Sequence, residues 1–374
     1  MALVKTVAFL LVSTALASPA QKKGGSNEAA RSQNSLLQLP LFTVPIDPEV
    51  VSGNTPKREV STGIDNYQYN GRWPVTALGV ELNIGTPPQK VIIEPDTGSP
   101  ILWVPGFTPK QNFNTSEGIF FQYRNSTSLH DLKKRGVIGY MSGSVTIDMV
   151  SDEVSIGGSL ISNMTFGIGN MSHPRTRVSR YVGTMGLLPS SDQEDPEFIL
   201  TKLRDKKLVK SRAFSIGLRE KGKGALTFGG YDTSKFSGPL EKFSMVSNAF
   251  NHYIIKIDSL SFNKDNGSHE LLLDKQSFKA EQMTIGLDSG SPLLSIPKAV
   301  ANNFQKRLGD LWIGGHFLRR SLVVFDPDES SIWIARGADC GSSAVAIDDK
   351  VPSNVLGRCK NDGSETKPPA NEGF

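Results

Sequence analysis

The stretches VIIEPDTGSPILWVPG (residues 91–106) and MTIGLDSGSPLLSIP (residues 283–297) carry one plan twice. An apolar run leads into Asp-Thr-Gly at 96–98 and into Asp-Ser-Gly at 288–290, and Ser-Pro with further apolar residues follows each. A single tripeptide of this kind arises readily by chance, but a duplicate in matching surroundings points to two related half-chains. Each half then brings one carboxylate, Asp96 or Asp288, to a shared site. Two carboxylates close enough to share a proton cannot both ionise easily, so one serves as base while its partner serves as acid. Water held between them can be deprotonated as it attacks a carbonyl carbon. Gly98 and Gly290 let the backbone pass close behind each carboxylate and aim amide donors at it. Ser99 and Ser291 can hydrogen-bond the outer carboxylate oxygens.

Outward from the triplets the chain reads as mostly β. Leu78, Val80, Leu82 and Ile84 alternate with Gly79, Glu81 and Asn83, the period of a half-buried strand. GTPP at 85–88 turns the chain, and Val91, Ile92 and Ile93 begin the return strand. Val145, Ile147 and Met149 alternate in another strand, and Val154 and Ile156 indicate a separate next one. Met283, Ile285 and Leu287 alternate up to the second triplet. Both aspartates therefore stand at strand ends, where a loop presents side chains to a cleft. Two helices are expected. One is capped at Asp195-Pro196, with Ile199 and Leu203 on one face; the other is opened by Pro297, carries Val300, Phe304 and Leu308, and is stopped by Gly309.

The 374 residues suffice for two lobes with their own cores. Glycine at 36 and proline at 22 suit a turn-rich β protein. Most of the formal charge of +4 comes from residues 1–58, with six basic and three acidic side chains, so the remainder is nearly neutral. No basic stripe interleaved with aromatics occurs, which argues against nucleic-acid binding. Lys5, the apolar run at 7–12 and Ala15-Leu16-Ala17 read as the three parts of a secretory signal peptide. That run is too short to cross a bilayer, and no later stretch is long enough for a membrane span. Asn114, Asn125, Asn163, Asn170 and Asn266 head Asn-x-Ser/Thr acceptor triplets, in agreement with secretion. Cys340 and Cys359 either pair in an oxidising compartment and close a small loop or remain two thiols. Residues 18–58 lack a long periodic pattern and end at Lys57-Arg58. They read as a propeptide released after Arg58, or as a linker with a solvated charge pair.

NIGTPPQ at 83–89, DTGSPILWVP at 96–105, GYMSGSV at 139–145 and TMGL at 184–187 stand in the first half, and FGGYD at 228–232, LDSGSPLLSIP at 287–297 and LWIGGHFLRRSLVVFD at 311–326 in the second. Together these motifs resemble the pepsin family of aspartic endopeptidases, in particular the secreted fungal ones. The resemblance covers most of residues 70–340. It implies an all-β, bilobal fold of two pseudo-symmetric lobes with a few short helices. It implies Asp96 and Asp288 as the catalytic pair, braced by the hydroxyls of Thr97 and Ser289 across the lobe interface. Tyr140 matches the tyrosine of a β-hairpin flap. Trp103 matches the tryptophan that packs behind that flap and can receive the tyrosine hydroxyl's hydrogen bond. Gly98, Gly290, Ser99, Ser291, Tyr140 and Trp103 form the expected substrate-binding set. No metal or cofactor is implied, because the nucleophile is water. The expected partners are polypeptides, and the chain is expected to be monomeric and extracellular. The resemblance suggests bulky apolar residues beside the cut, while some fungal relatives prefer basic ones.

Several positions depart from the family pattern. Glu94-Pro95 stands where apolar strand residues are usual, and proline, lacking an amide donor, is expected to end that strand early. Met141 follows the flap tyrosine in place of glycine, Gly315 replaces an aspartate, and Ser291 replaces a threonine. The largest departure is length. Ninety residues separate Asp96 from Gly186 of the first supporting Gly segment, but only twenty-six separate Asp288 from Gly314 of the second, sixty-four fewer. The join falls near residues 308–311. Either the second lobe is extensively shortened or the gene model misjoins a splice junction. A loss of that size removes one wall of the cleft and uncovers apolar surface.

The expected organisation is a signal peptide at 1–17, a propeptide at 18–58, an N-terminal lobe at 59–213, a shortened C-terminal lobe at 214–339 and a tail at 340–374. The main reading is an acid-active aspartic endopeptidase made as a zymogen. The alternative is a catalytically impaired relative that binds peptides, favoured by the short second lobe and Met141. A two-carboxylate glycosidase is opposed by the duplication and the flap. A metalloprotease is opposed because Leu273 stands four residues after His269-Glu270 begins, where a second histidine is required. No G-x-S-x-G elbow occurs.

Overall fold

Alternating apolar residues make nearly every described segment a strand. The computed structural model describes residues 7–10, 31–33, 35–45, 76–106, 120–140, 143–169, 183–189, 195, 198–218, 223–248, 251–263, 269–274, 283–291, 311–313, 315–318 and 320–360. The strands are β1 (Val7–Leu10), β2 (Arg31–Gln33), β3 (Leu36–Pro45), β4 (Thr76–Ile84), β5 (Gln89–Asp96), β6 (Trp103–Pro105), β7 (His130–Tyr140) and β8 (Gly143–Ile156). They continue as β9 (Ser159–Gly169), β10 (Gly183–Gly186), β11 (Phe214–Leu218), β12 (Lys223–Phe228), β13 (Gly230–Asp232), β14 (Phe236–Ser244) and β15 (Ile254–Ile257). The last are β16 (Ser259–Asn263), β17 (His269–Asp274), β18 (Met283–Leu287), β19 (Leu311–Ile313), β20 (Ser321–Asp326), β21 (Ser331–Gly337) and β22 (Ala344–Ala346). The α-helices among the described residues are α1 (Ile199–Asp205) and α2 (Gly315–Leu318).

Fourteen strands form one sheet in the order β14-β21-β20-β11-β12-β3-β4-β5-β10-β6-β9-β8-β7, with β2 beside β3. β8 also pairs with β4 through Asn83↔Ser155 and Ile84↔Val154, so the strands from β4 to β8 along this path close on themselves. Val80, Leu82, Val91, Ile93, Val104 and Phe166 fill the enclosed space. Burial of side chains of this size stabilises the fold by about 1.5–3 kcal/mol each. Farther along the chain, Phe214 of β11 stacks on Phe325 of β20 at 4.9 Å, and Tyr253 meets Phe325 edge-on at 4.8 Å. β15, β18 and β19 form a separate three-stranded sheet, as do β1, β16 and β17. Cys340 and Cys359 are joined as a disulfide, with their Cα atoms 5.6 Å apart. The bond ties down residues whose Ile347 and Val351 pack under Trp333 and Phe236.

The mostly β character is as expected, and β4, the turn at 85–88, β5 and β18 fall where alternation placed them. Other expectations need correction. The two strands read at 145–149 and 154–156 are one strand, β8, because a register shift between Asp152 and Val154 changes the phase of alternation without ending the pairing. Pro95 does not end β5, which runs through it to Asp96. Pro95 pairs with Met185 of β10 on one side and gives its carbonyl to Ser289, so its missing N–H leaves the strand intact. The first helix starts at Ile199 after Phe198, not at Asp195-Pro196; the Phe198 amide donates to the Asp195 carbonyl in a preceding turn. Ile199 and Leu203 are both buried, as their shared face requires.

The helix read at 297–308, Met141, Gly314, and the acceptors Asn114, Asn170 and Asn266 lie outside the described residues. Asn125 and Asn163 are exposed. Within the stretch read as signal peptide, Val7–Leu10 pairs parallel with β16. Within the stretch read as propeptide, β3 lies at the centre of the large sheet. It pairs with β12 on one side and β4 on the other, with Leu37, Leu39 and Leu41 buried. No helix of the described residues is long and apolar enough to cross a membrane.

Candidate active site

Asp96 ends β5, and β5 lies between antiparallel β4 and parallel β10, with Val80↔Ile93 on one side and Gly186↔Asp96 on the other. Asp288 follows β18, and β18 lies between antiparallel β15 and parallel β19, with Ile254↔Gly286 and Leu287↔Ile313. Each aspartate therefore leaves a strand held on both edges. The segment 311–313, reached after the short connection, still lies in register beside β18.

The two triplets lock into each other. The Thr97 hydroxyl donates to the Leu287 carbonyl at 2.9 Å and accepts from the Ser289 amide at 2.9 Å. The Ser289 hydroxyl donates to the Pro95 carbonyl at 2.7 Å and accepts from the Thr97 amide at 3.0 Å. All four bonds are buried, so each replaces water that is absent there. Tyr253 adds a further tie, its hydroxyl donating to the Leu187 carbonyl at 2.9 Å.

This lock brings the carboxyls of Asp96 and Asp288 together, each against the opposite triplet's glycine. The Gly98 amide donates to Asp96 Oδ1 at 2.7 Å, and the Gly290 amide donates to Asp288 Oδ1 at 3.0 Å. The glycines also face the opposite aspartates. A Cβ on Gly98 would stand 2.7 Å from Asp288 Oδ1, and one on Gly290 would collide with the Asp96 carboxyl. Any side chain at either position would push the pair apart. The Ser99 hydroxyl donates to Asp96 Oδ2 at 2.5 Å. At Asp288 the amide of Ser291 stands beside that of Gly290.

Burial raises the pKa of Asp288 above the ordinary carboxylate value. The neighbouring charge of Asp96 and the shared hydrogen bond add to this, and the amides of Gly290 and Ser291 oppose it. Asp288 therefore holds a proton more readily than a solvated carboxylate does.

Tyr140 lies at the end of β7, in the hairpin that β7 makes with β8. The Trp103 indole N–H donates to the Tyr140 hydroxyl at 2.6 Å. This reverses the direction expected from the resemblance, since indole nitrogen is only a donor. Burial pushes the Tyr140 pKa up to about 12, and Thr184, Trp103 and Ser99 beside its hydroxyl oppose the rise. Trp103 packs with Ile138, Val145 and Ile147, which anchor the base of the hairpin. Ser99 thus touches both Asp96 and the hairpin tyrosine.

All ten expected residues, Asp96, Thr97, Gly98, Ser99, Trp103, Tyr140, Asp288, Ser289, Gly290 and Ser291, fall into this connected cluster. Two further residues join it. Thr184 lies in the quoted TMGL motif but was given no role by sequence. Glu94 was legible only as a break in an apolar run, although its spacing of two from Asp96 on a strand places both on one face. Burial, then the charges of Asp96 and Asp288, raise the Glu94 pKa well above the ordinary value, and the Leu78 amide opposes the rise. Among the described residues, no group of three or more His, Cys, Asp or Glu is placed to hold a metal ion.

Residues 79–310 match the family described as eukaryotic aspartyl protease. A relative named "Probable aspartic-type endopeptidase OPSB", from Arthroderma benhamiae, is 26% identical over 267 residues, covering 69% of this chain and 52% of the relative. "Acid protease" of Saccharomycopsis fibuligera is 29% identical over 249 residues, covering 61% and 58%. "Cathepsin E" of Mus musculus is 27% identical over 242 residues, covering 63% and 58%. The chain thus spans a little over half the length of these curated relatives.

Proposed function

Since this chain belongs to the eukaryotic aspartyl protease family, we propose that it is a secreted aspartic endopeptidase that hydrolyses peptide bonds at acid pH. The observation that carries this reading is the close approach of Asp96 and Asp288, each against the other triplet's glycine and held by reciprocal bonds of Thr97 and Ser289. Two carboxyls sharing a proton supply an acid and a base at one point.

In the proposed reaction a water molecule between the carboxyls gives a proton to Asp96 while its oxygen bonds the peptide carbonyl carbon. The proton on Asp288 passes to the carbonyl oxygen, giving a neutral tetrahedral gem-diol. Collapse breaks the C–N bond, moves a proton to the departing nitrogen and leaves a carboxyl and an amine. Ser99 and the Gly98 amide fix the Asp96 oxygens, so little reorganisation is needed as charge moves. Tyr140 covers the site from the hairpin.

Secretion is supported by the charged and apolar N-terminal pattern and by the Cys340–Cys359 disulfide, which suits an oxidising compartment. Polypeptides are the proposed partners, and a monomer is the proposed state.

The test is hydrolysis of a denatured protein by the purified chain at about pH 4, between the dyad pKa values known for pepsin, and at neutral pH, beside Asp96→Asn. Acid-dependent cleavage lost in the variant is expected. A neutral optimum that survives Asp96→Asn contradicts the mechanism. No cleavage by a well-folded chain favours the peptide-binding reading.

A further inference from the structure

The proposed reaction employs Asp96 and Asp288 and leaves Glu94 without a task. Glu94 lies two residues before Asp96 on β5, so the two-residue period turns both side chains to one face of the sheet. Its register partner on β10 is Thr184. Thr184 lies beside the Tyr140 hydroxyl, so this is the face beneath the hairpin. Glu94 and Thr184 together make a polar floor beside Asp96, under the tyrosine that covers the site. The matching position of the second lobe, two before Asp288, is Gly286, which has no side chain to offer.

A carboxyl is a costly choice here. Glu94 is 9% exposed, and the charges that act on it, those of Asp96 and Asp288, are both negative. The Leu78 amide opposes this only in part, and a carboxylate has room for about four hydrogen bonds. An apolar residue would fill the same place without that penalty. A buried acid beside the two aspartates of the site is suited to a cation that arrives with the substrate.

We propose that Glu94 determines specificity at this site, forming with Thr184 a subsite for the lysine or arginine side chain of a residue flanking the scissile bond. The proposal rests on the reading of the chain as an aspartic endopeptidase. The ammonium or guanidinium pairs with the Glu94 carboxylate and donates to the Thr184 hydroxyl. Arginine can do so through two parallel N–H groups. Pairing strengthens as Glu94 ionises, so the preference for basic residues widens as pH rises within the active range. The chain's own Lys57-Arg58 offers this chemistry at the expected propeptide boundary.

The test compares two peptides that differ only in lysine or leucine beside a single cleavable bond. It uses the full chain, Glu94→Gln and Glu94→Leu, at about pH 4 and about one unit higher, within the range spanned by the pepsin dyad. Cleavage sites in a denatured protein are mapped in parallel, with arginine included. The expected lysine-to-leucine ratio of kcat/KM is about tenfold or more in the parent, as for a charge-assisted hydrogen bond. It is expected to grow with pH, fall towards one in Glu94→Gln and reverse in Glu94→Leu. An equal ratio in the parent overturns the proposal, as does one unchanged in Glu94→Gln. A pH shift common to both peptides, with the ratio intact, also overturns it, because Glu94 then tunes the dyad alone. If no peptide is hydrolysed, the endopeptidase reading fails separately. Binding of the same peptides to Asp288→Asn then decides: tighter binding of lysine, lost in a Glu94→Gln double variant, supports the subsite, and equal binding overturns it.

Discussion

In the first lobe Asp96 leaves β5 between β4 and β10, and in the second Asp288 leaves β18 between β15 and β19. Antiparallel and parallel neighbours occur in the same order around both. Beyond that unit the lobes diverge. The first wraps its aspartate strand in a closed run of strands, adds the β7–β8 hairpin with Tyr140, and floors the site with Glu94 and Thr184. Among the described residues the second holds its aspartate strand in a sheet of three. The sixty-four-residue difference falls outside the shared unit, because Leu311–Ile313 still reaches β18 in register. Presentation of an aspartate is thus a local matter of one strand, two neighbours, one glycine and one hydroxyl. Walls, cover and the proposed selectivity are separate constructions, and among the described residues they belong to the first lobe.

If the two units are equivalent, their variants should fail alike. Asp96→Asn and Asp288→Asn are each expected to lower kcat by about 10²–10⁴-fold, the usual contribution of a positioned acid or base. Steady-state hydrolysis of one peptide by both variants checks this, and a large effect from only one would break the symmetry. Thr97→Val strips partners from the Leu287 carbonyl and Ser289 amide, and Ser289→Ala does so for the Pro95 carbonyl and Thr97 amide. Each buried group left unpaired costs about 1–3 kcal/mol, so denaturant unfolding should show similar losses for the two.

The thinner lobe should also depend more on its staple. Replacing Cys340 and Cys359 by alanine opens a span of 19 residues and is expected to lower stability by about 3 kcal/mol, read by denaturant unfolding. Tyr140→Phe affects only the first lobe's cover. It removes the hydroxyl that accepts from the Trp103 indole N–H, and kcat/KM is expected to fall roughly tenfold, as for one lost buried hydrogen bond.

The smallest effect is at Asp326. Burial raises its pKa to about 6, so the protonated carboxyl suits the fold, and stability falls as pH rises from the unfolded value, about 4, through the folded one. Asp326→Asn should remove this loss, giving an advantage that grows across that window to about 2 kcal/mol or less, read as Tm against pH.

Much of the site was legible because its parts are local. The triplets, the alternation before them and the hairpin tyrosine each declare themselves within a few residues. Partnerships between distant segments were less so. That Thr184 lies beside Glu94 depends on β10 running parallel to β5 some ninety residues later, which no local pattern reports. The bulge in β8 hid a continuous strand by shifting its phase. Pro95 looked like a strand end because its missing amide was visible and its carbonyl's partner, Ser289, was not. The central place of β3, in a stretch read as propeptide, was likewise invisible, since its pairing with β12 joins residues far apart in sequence.

The central claim is that the second lobe, with its short connection, still delivers Asp288 to Asp96 as a working pair. The most direct test is the pH dependence of peptide hydrolysis by the folded chain beside Asp288→Asn. The account predicts activity on the acid side that declines as pH rises and the shared proton is lost, and near-complete loss in the variant at every pH. Cleavage of equal rate and pH profile in the parent and Asp288→Asn would contradict it.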